Sequence, residues 1–185
     1  MKFTPAEIDG VWIVDLEPIE DERGFFARTF CADEFTSYGL DPTVAQCNVS
    51  LTRTAGTVRG LHYQVEPAAE TKLVRCVRGA IFDVAVDVRR GSPTFARWVG
   101  TEMRADGFRW IYVPIGFAHG FVVLSDAAEV EYKCSDFYDP GGEAGVPWND
   151  PAVAIQWPVA DPLLSARDRA HPSLEPHRED LIAYS

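Results

Sequence analysis

The stretch Val58-Arg59-Gly60-Leu61-His62-Tyr63-Gln64, "VRGLHYQ", sets a guanidinium close to an imidazole in residues that otherwise read as a β-strand. An imidazole can take or give a proton near neutral pH, and a guanidinium is a fixed cation that matches anionic oxygens. Strict alternation along a strand sends Arg59 and His62 to opposite faces, whereas a bulge at Gly60 turns both toward one side. A second histidine, His119, stands beside a glycine in "PIGFAHGF". In "AEVEYKCSDFY", alternation puts Val130, Tyr132 and Cys134 on one face. Glu129, Glu131 and Lys133 fall on the other face, which we read as solvated. Tyr132 then points inward, either as a core phenol with a satisfied hydroxyl or as a general acid lining a cavity. Lys72 opens "KLVRCVRGAIF". It is either a solvated strand-start lysine or, facing a cavity, a cation able to stabilise a developing oxyanion. This inventory suits proton abstraction beside a carbonyl.

Rival chemistries are less well served. The chain has no GxSxG, P-loop or GxGxxG pattern. Metal-binding jelly rolls offer an HxH pair, but here the run is His62-Tyr63-Gln64. His171 and His177 lie in the C-terminal tail, which leaves His62 and His119 as the barrel histidines and makes us expect no metal. A metal-dependent barrel and a non-catalytic ligand-binding barrel remain the contrasting classes.

The elements that must position these groups read mainly as strands. In "IFDVAVDV", Phe82, Val84, Val86 and Val88 share one face, with Asp83, Ala85 and Asp87 on the other. "RWVGTEM", "RWIYVPIGF", "HGFVVL" and "AAEVEYKCSDFY" continue the pattern, with turn signals every roughly 8–12 residues. That spacing predicts an all-β jelly-roll barrel or double sheet rather than alternating β and α units. Helix signals are peripheral and short. "CADEFTSYGL" has Asp33 and Glu34 near its start and Gly39 as a stop, and the tail reads as turns and loop.

The 185 residues suit a single domain, 1–185, and carry a formal net charge of −11. That balance disfavours a nucleic-acid partner, which needs a basic face. Cys31, Cys47, Cys76 and Cys134 form no CxxC pair and read as reduced thiols. The N-terminal segment has acidic residues and no apolar h-region. "WIYVPIGFAHGFVVL" is broken by Pro114, Gly116 and His119, so we expect no membrane association and a cytoplasmic location.

Taken in order, "DERGFFARTF", "QCNVS", "VRGLHYQ", "KLVRCVRGAIFDVAVDVRRGSPTF", "PIGFAHGFVVLSD", "EYKCSDFYDP", "WNDP" and "LLSARD" make a specific set. On these motifs the chain resembles the dTDP-4-dehydrorhamnose 3,5-epimerases over nearly its full length. The resemblance implies a cupin-like jelly-roll homodimer without metal or organic cofactor, acting on a nucleotide-linked 4-keto-6-deoxyhexose. It implies that His62 is the base, Tyr132 the acid from the opposite face, Asp168 the partner of His62, and Lys72 the enolate stabiliser. It also implies substrate contacts from Arg23, Phe26, Arg28, Gln46, Asn48, Arg59, His119, Tyr138, Glu143 and Arg167. The "RGFF" region would complete the partner subunit's site. Against the family pattern, Arg28 replaces a glutamate, Cys47 an aspartate, and Arg167 a lysine. A relative epimerising only C3 or C5 is the alternative within the same chemistry.

Overall fold

The structure, a computed structural model, describes residues 1–184. Its strands are β1 (Lys2–Pro5), β2 (Trp12–Asp15), β3 (Ile19–Asp21), β4 (Gly24–Phe26), β5 (Gln46–Thr52), β6 (Val58–Gln64) and β7 (Lys72–Arg78). They continue as β8 (Ala80–Asp87), β9 (Trp98–Arg104), β10 (Arg109–Val113), β11 (Phe117–Val123), β12 (Ala128–Cys134) and β13 (Glu143–Gly145). A six-stranded sheet in the order β1-β2-β10-β7-β12-β5 faces a five-stranded sheet in the order β13-β6-β11-β8-β9. The pairings are antiparallel, and β3 and β4 form a separate hairpin. This is the expected all-β, cupin-like jelly roll. Among the described residues, the one α-helix, α1 (Ala32–Ser37), and the 3-10 turns Ala105–Gly107 and Asp168–Ala170 are short and peripheral. Gly39, at φ +73°, ends the helix region as its left-handed preference predicts.

Alternation divides the apolar residues into three layers. Val74, Cys76, Ile81, Ala85, Ile111, Phe121 and Val130 fill the space between the sheets. On the outer face of the five-stranded sheet, Val84, Val86 and Val88 share the predicted side of β8 and are covered by Val146, Val153, Leu174 and Leu181. On the outer face of the six-stranded sheet, Leu73, Trp110 and Tyr112 pack under Phe3, Phe35 and Leu40. Both faces of β8 are therefore buried, and Asp83 and Asp87 lose all solvent contact. Asp87 is held by Arg89, Ser92 and Thr94.

The outer face of β12 corrects one expectation. Lys133 and Glu131 are not freely solvated: they pair at 2.6 Å, and the Lys133 ammonium lies 5.1 Å from the Trp110 ring centroid. The cause is Trp110 on the same outward side of the sheet, whose π face attracts cations and covers the lysine stem.

Candidate active site

The inter-sheet core does not run the full length of the barrel. At one end it gives way to a cavity of ≈ 770 Å³ whose lining includes His62 from β6 and Tyr132 from β12. The two rings thus come from opposite sheets onto one space. Arg59 lines the same cavity, and the reason is local. Opposite β11, His119 pairs with His62 while Phe121 pairs with Arg59, so β6 carries one extra residue at this point. That is the bulge expected at Gly60, which has φ +127°. A side chain there would meet the Gly120 Cα at 2.6 Å and the His119 carbonyl oxygen at 2.8 Å, so only glycine lets the strands approach this closely.

Behind His62 lies Asp168. The His62 Nε2 to Asp168 Oδ1 distance is 2.7 Å, and Asp168 sits on the 3-10 turn Asp168–Ala170 with Ser165 Oγ accepting its backbone N–H. Burial opposes ionisation of Asp168, yet the hydrogen bond and charge of His62, helped by Ser165 and His171, together outweigh it and hold the carboxyl below the usual range. The carboxylate fixes one ring nitrogen and leaves Nδ1 for other work. The expectation that His171 belongs to a remote tail is corrected. Its ring centroid is 5.4 Å from that of His62, and its Nε2 is 3.8 Å from Asp168 Oδ1. The tail returns because Leu174 and Leu181 have apolar surface to cover on the five-stranded sheet. Burial, followed by the neighbouring His62, lowers the His171 pKa and favours the neutral ring. One ligand atom each from His62, Asp168 and His171 lies within 4.8 Å of the other two, so this is where a divalent cation could be held.

The return of the tail is secured by Arg178. It donates to the carbonyl oxygens of Gly145 and Pro172 at 3.1 and 3.2 Å and to Asp180 at 2.6 Å. Asp180 in turn accepts from the Tyr63 hydroxyl at 2.6 Å, so the residue after His62 is tied to the segment after His171.

On the opposite wall, Tyr132 pairs across the strands with Asn48 and Val74, and Lys72 pairs with Cys134. Burial, then Cys134 and Glu70, raises the Tyr132 pKa and keeps the phenol protonated. Burial pushes the Cys134 thiol up to about 12. The Lys72 ammonium donates to Glu70 and is nearly enclosed. Glu70 Oε2 and both amide atoms of Gln64 are buried in the cavity wall without partners among the described residues. Neither residue was singled out in the sequence. The available signal was spacing, because Gln64 follows His62 and Glu70 precedes Lys72 by one alternation period.

The remaining expected contacts divide in two. Gln46, Asn48, His119, Tyr138, Glu143 and Arg167 line the cavity. The Tyr138 hydroxyl and the Arg167 guanidinium both donate to Glu143, and Gln46 Oε1 accepts the Tyr138 backbone N–H at 3.0 Å. His119 forms a second imidazole–carboxylate pair with Asp83 at 2.9 Å, and burial raises the Asp83 pKa. Arg23, Phe26 and Arg28 are elsewhere. Arg23 pairs with Asp21 on the exposed β3–β4 hairpin, Phe26 is 68% exposed, and Arg28 lies 3.3 Å from Glu34.

An imidazole backed by a carboxylate, a protonated phenol and an ammonium on one cavity of a jelly roll are the groups that acid–base chemistry requires. The model of the family "dTDP-4-dehydrorhamnose 3,5-epimerase" matches residues 5–176, and the chain belongs to that family. It is 48% identical over 169 residues to a dTDP-4-dehydrorhamnose 3,5-epimerase of Shigella flexneri, covering 91% of this chain and 93% of the relative. It is 43% identical to a dTDP-4-dehydrorhamnose 3-epimerase of Streptomyces niveus, covering 91% and 82%. A crystal structure of a dTDP-6-deoxy-D-glucose-3,5-epimerase from Legionella pneumophila, in complex with dTDP-4-keto-L-rhamnose, superposes with a TM-score of 0.93 at 40% identity. That match covers 100% of this chain and 98% of the other.

Proposed function

We propose that the protein is a dTDP-4-dehydrorhamnose 3,5-epimerase, inverting C3 and C5 of dTDP-4-keto-6-deoxy-D-glucose through enolate intermediates. The observation that carries this reading is the meeting of His62 and Tyr132, from facing sheets, on one cavity. The hydrogens on C3 and C5 are acidic because C4 is a carbonyl. His62 removes one of them through the nitrogen not held by Asp168, while the buried Lys72 ammonium offsets the charge growing on the C4 oxygen. Tyr132, kept protonated by burial, returns a proton from the opposite face, and that change of face is the inversion. Asp168 stabilises the imidazolium formed on the way.

Arg59 and Arg167 line the cavity as cations for an anionic nucleotide, and Tyr138 offers a ring for its base. Gln46, Asn48, His119 and Glu143 contact the remaining substrate polar groups. Acid, base and cation are all side chains, so the reaction proceeds without metal or organic cofactor. The whole chain, 1–185, acts as one catalytic domain, supported by both terminal segments contributing to the layers that cover the sheets. It works as a homodimer in which the RGFF stretch of each hairpin, with Arg23 and Phe26, completes the partner's cavity, and Arg28 contacts substrate from just beyond it. Supporting this are the exposed apolar side chains of Ile19, Phe25 and Phe26 on that hairpin. Free thiols at all four cysteines favour a reducing cytoplasm, and no helix among the described residues is long and apolar enough to cross a membrane.

The test is turnover of the keto-sugar nucleotide in D₂O, followed by NMR. Solvent deuterium at both C3 and C5 is expected, and EDTA leaves the rate undiminished. Label at one carbon only establishes a mono-epimerase instead, the second reading favoured by the Streptomyces niveus relative. His62→Asn and Tyr132→Phe lower kcat by about 10²–10⁴ with the fold intact. Unchanged turnover in either variant would refute its role.

A further inference from the structure

We propose that the rear wall of the cavity is an inhibitory zinc site: His62, Asp168 and His171 together hold one divalent cation and switch the base off. The inference rests on the reading of His62 as the base. Asp168 Oδ1 is 2.7 Å from His62 Nε2 and 3.8 Å from His171 Nε2. A tetrahedral zinc with bonds of about 2.0–2.1 Å holds its ligand atoms roughly 3.3 Å apart. The two gaps bracket that value, and one ligand atom from each of the three residues lies within 4.8 Å of the other two, so side-chain adjustment brings all three onto one metal.

A second observation points to a ligand independently of this spacing. His171 Nε2 is buried without a hydrogen-bond partner among the described residues, and its side chain is only 10% exposed. Buried nitrogens of this kind are normally satisfied, so an unpaired one aimed at a carboxylate and another imidazole is a vacant valence. The ring cannot easily swing away, because it is packed so closely against Gly145 that a Cβ there would fall 2.4 Å from it. His62 and Asp168 border the cavity, which leaves a fourth coordination position open to water. Arg167 is the nearby cation that opposes a metal, but it is paired with Glu143. Two imidazoles with a single carboxylate select zinc over magnesium or calcium, which require mostly oxygen ligands.

The consequence for catalysis follows from the tautomer. With metal on Nε2, the one hydrogen of the neutral His62 ring sits on Nδ1, and no lone pair remains to accept a substrate proton. Zinc binding and turnover are mutually exclusive, the reverse of a metalloenzyme. Such a site ties deoxysugar production to the free zinc level.

Titrating the metal-free full-length chain with Zn²⁺ by calorimetry, and with Co²⁺ by visible absorption, tests the proposal. One equivalent binds, the cobalt form shows the intense bands of four-coordinate geometry, and turnover falls at least about tenfold until EDTA restores it. His171→Asn, with His171→Gln as a second variant should the first fail to fold, weakens metal binding at least about tenfold. Cys47→Ser, altering an exposed thiol, leaves the binding as it was. No saturable binding, binding without loss of turnover, or inhibition insensitive to both His171 variants overturns the proposal. A metal-free protein that never epimerises refutes the catalytic reading instead, and the cobalt spectrum still decides the site.

Discussion

Asp168 stands 106 positions beyond His62 in the chain, yet it sets what that imidazole can do. On the proposed mechanism the charge, rather than the shape, is the property that matters. Asp168→Asn keeps the packing but no longer stabilises an imidazolium, so kcat falls by about 10²–10⁴ while circular dichroism and substrate affinity stay close to the parent. Side chains at this scale were legible in the sequence when they sat on a readable strand. His62, Arg59, Lys72, His119 and Tyr132 were all marked by alternation or by glycine neighbours, and all reach one cavity. His171 was not legible, because no periodic element carries it and only the covering of a distant sheet face brings it back. Glu70 and Gln64 are illegible for a different reason. A glutamate and a glutamine near strand ends usually face water, and nothing local says that theirs do not.

At the scale of elements, the pair β6–β11 is the most constrained part of the architecture. Gly60 and Gly120 back onto each other where the bulge turns Arg59 toward the cavity. Gly60→Ala places a methyl against two backbone atoms at a positive φ, and should cost about 2–3 kcal/mol or more in chemical denaturation. It also lowers activity, since the strand must shift at the residue before last from His62. The bulge was readable from "RGLH" because a glycine was available where alternation needed correcting. The outer face of β12 misled for lack of tertiary information: nothing in "EVEYKC" announces the Trp110 ring beneath Lys133. Strand pairing further predicts thiol reactivity. Iodoacetamide at pH 8 should label the exposed Cys47 in the folded protein and spare the buried Cys134, whose thiol is held up at about 12; mass spectrometry reads the difference.

For the whole molecule, the double-sheet class followed from strand density and turn spacing, whereas the order of strands within the sheets did not, because pairing between distant segments leaves no local mark. The proposed dimer makes a sharp prediction. Mixing His62→Asn with Arg23→Ala, each inactive alone, should restore roughly a quarter of the parental activity, since half of randomly exchanged dimers carry one intact site of two. Acid sensitivity also belongs to this scale. Burial opposes ionisation of Asp87, but Arg89, Ser92 and Thr94 hold its folded pKa below the ordinary value of 3.8. A depressed carboxyl contributes stability that is present above the unfolded value and is lost as pH falls through the folded one. Melting temperature should therefore drop below pH about 4, and Asp87→Asn should lose less of it between pH 7 and 3 than the parent. Finally, the strap formed by Arg178 with Gly145, Pro172 and Tyr63 gives the molecule a birth order. Both sheets precede residue 168 in the chain, so their strands can pair before the carboxylate that backs His62 is within reach. The His62–Asp168 pair is then assembled late, when the segment that follows β13 latches onto a sheet already paired.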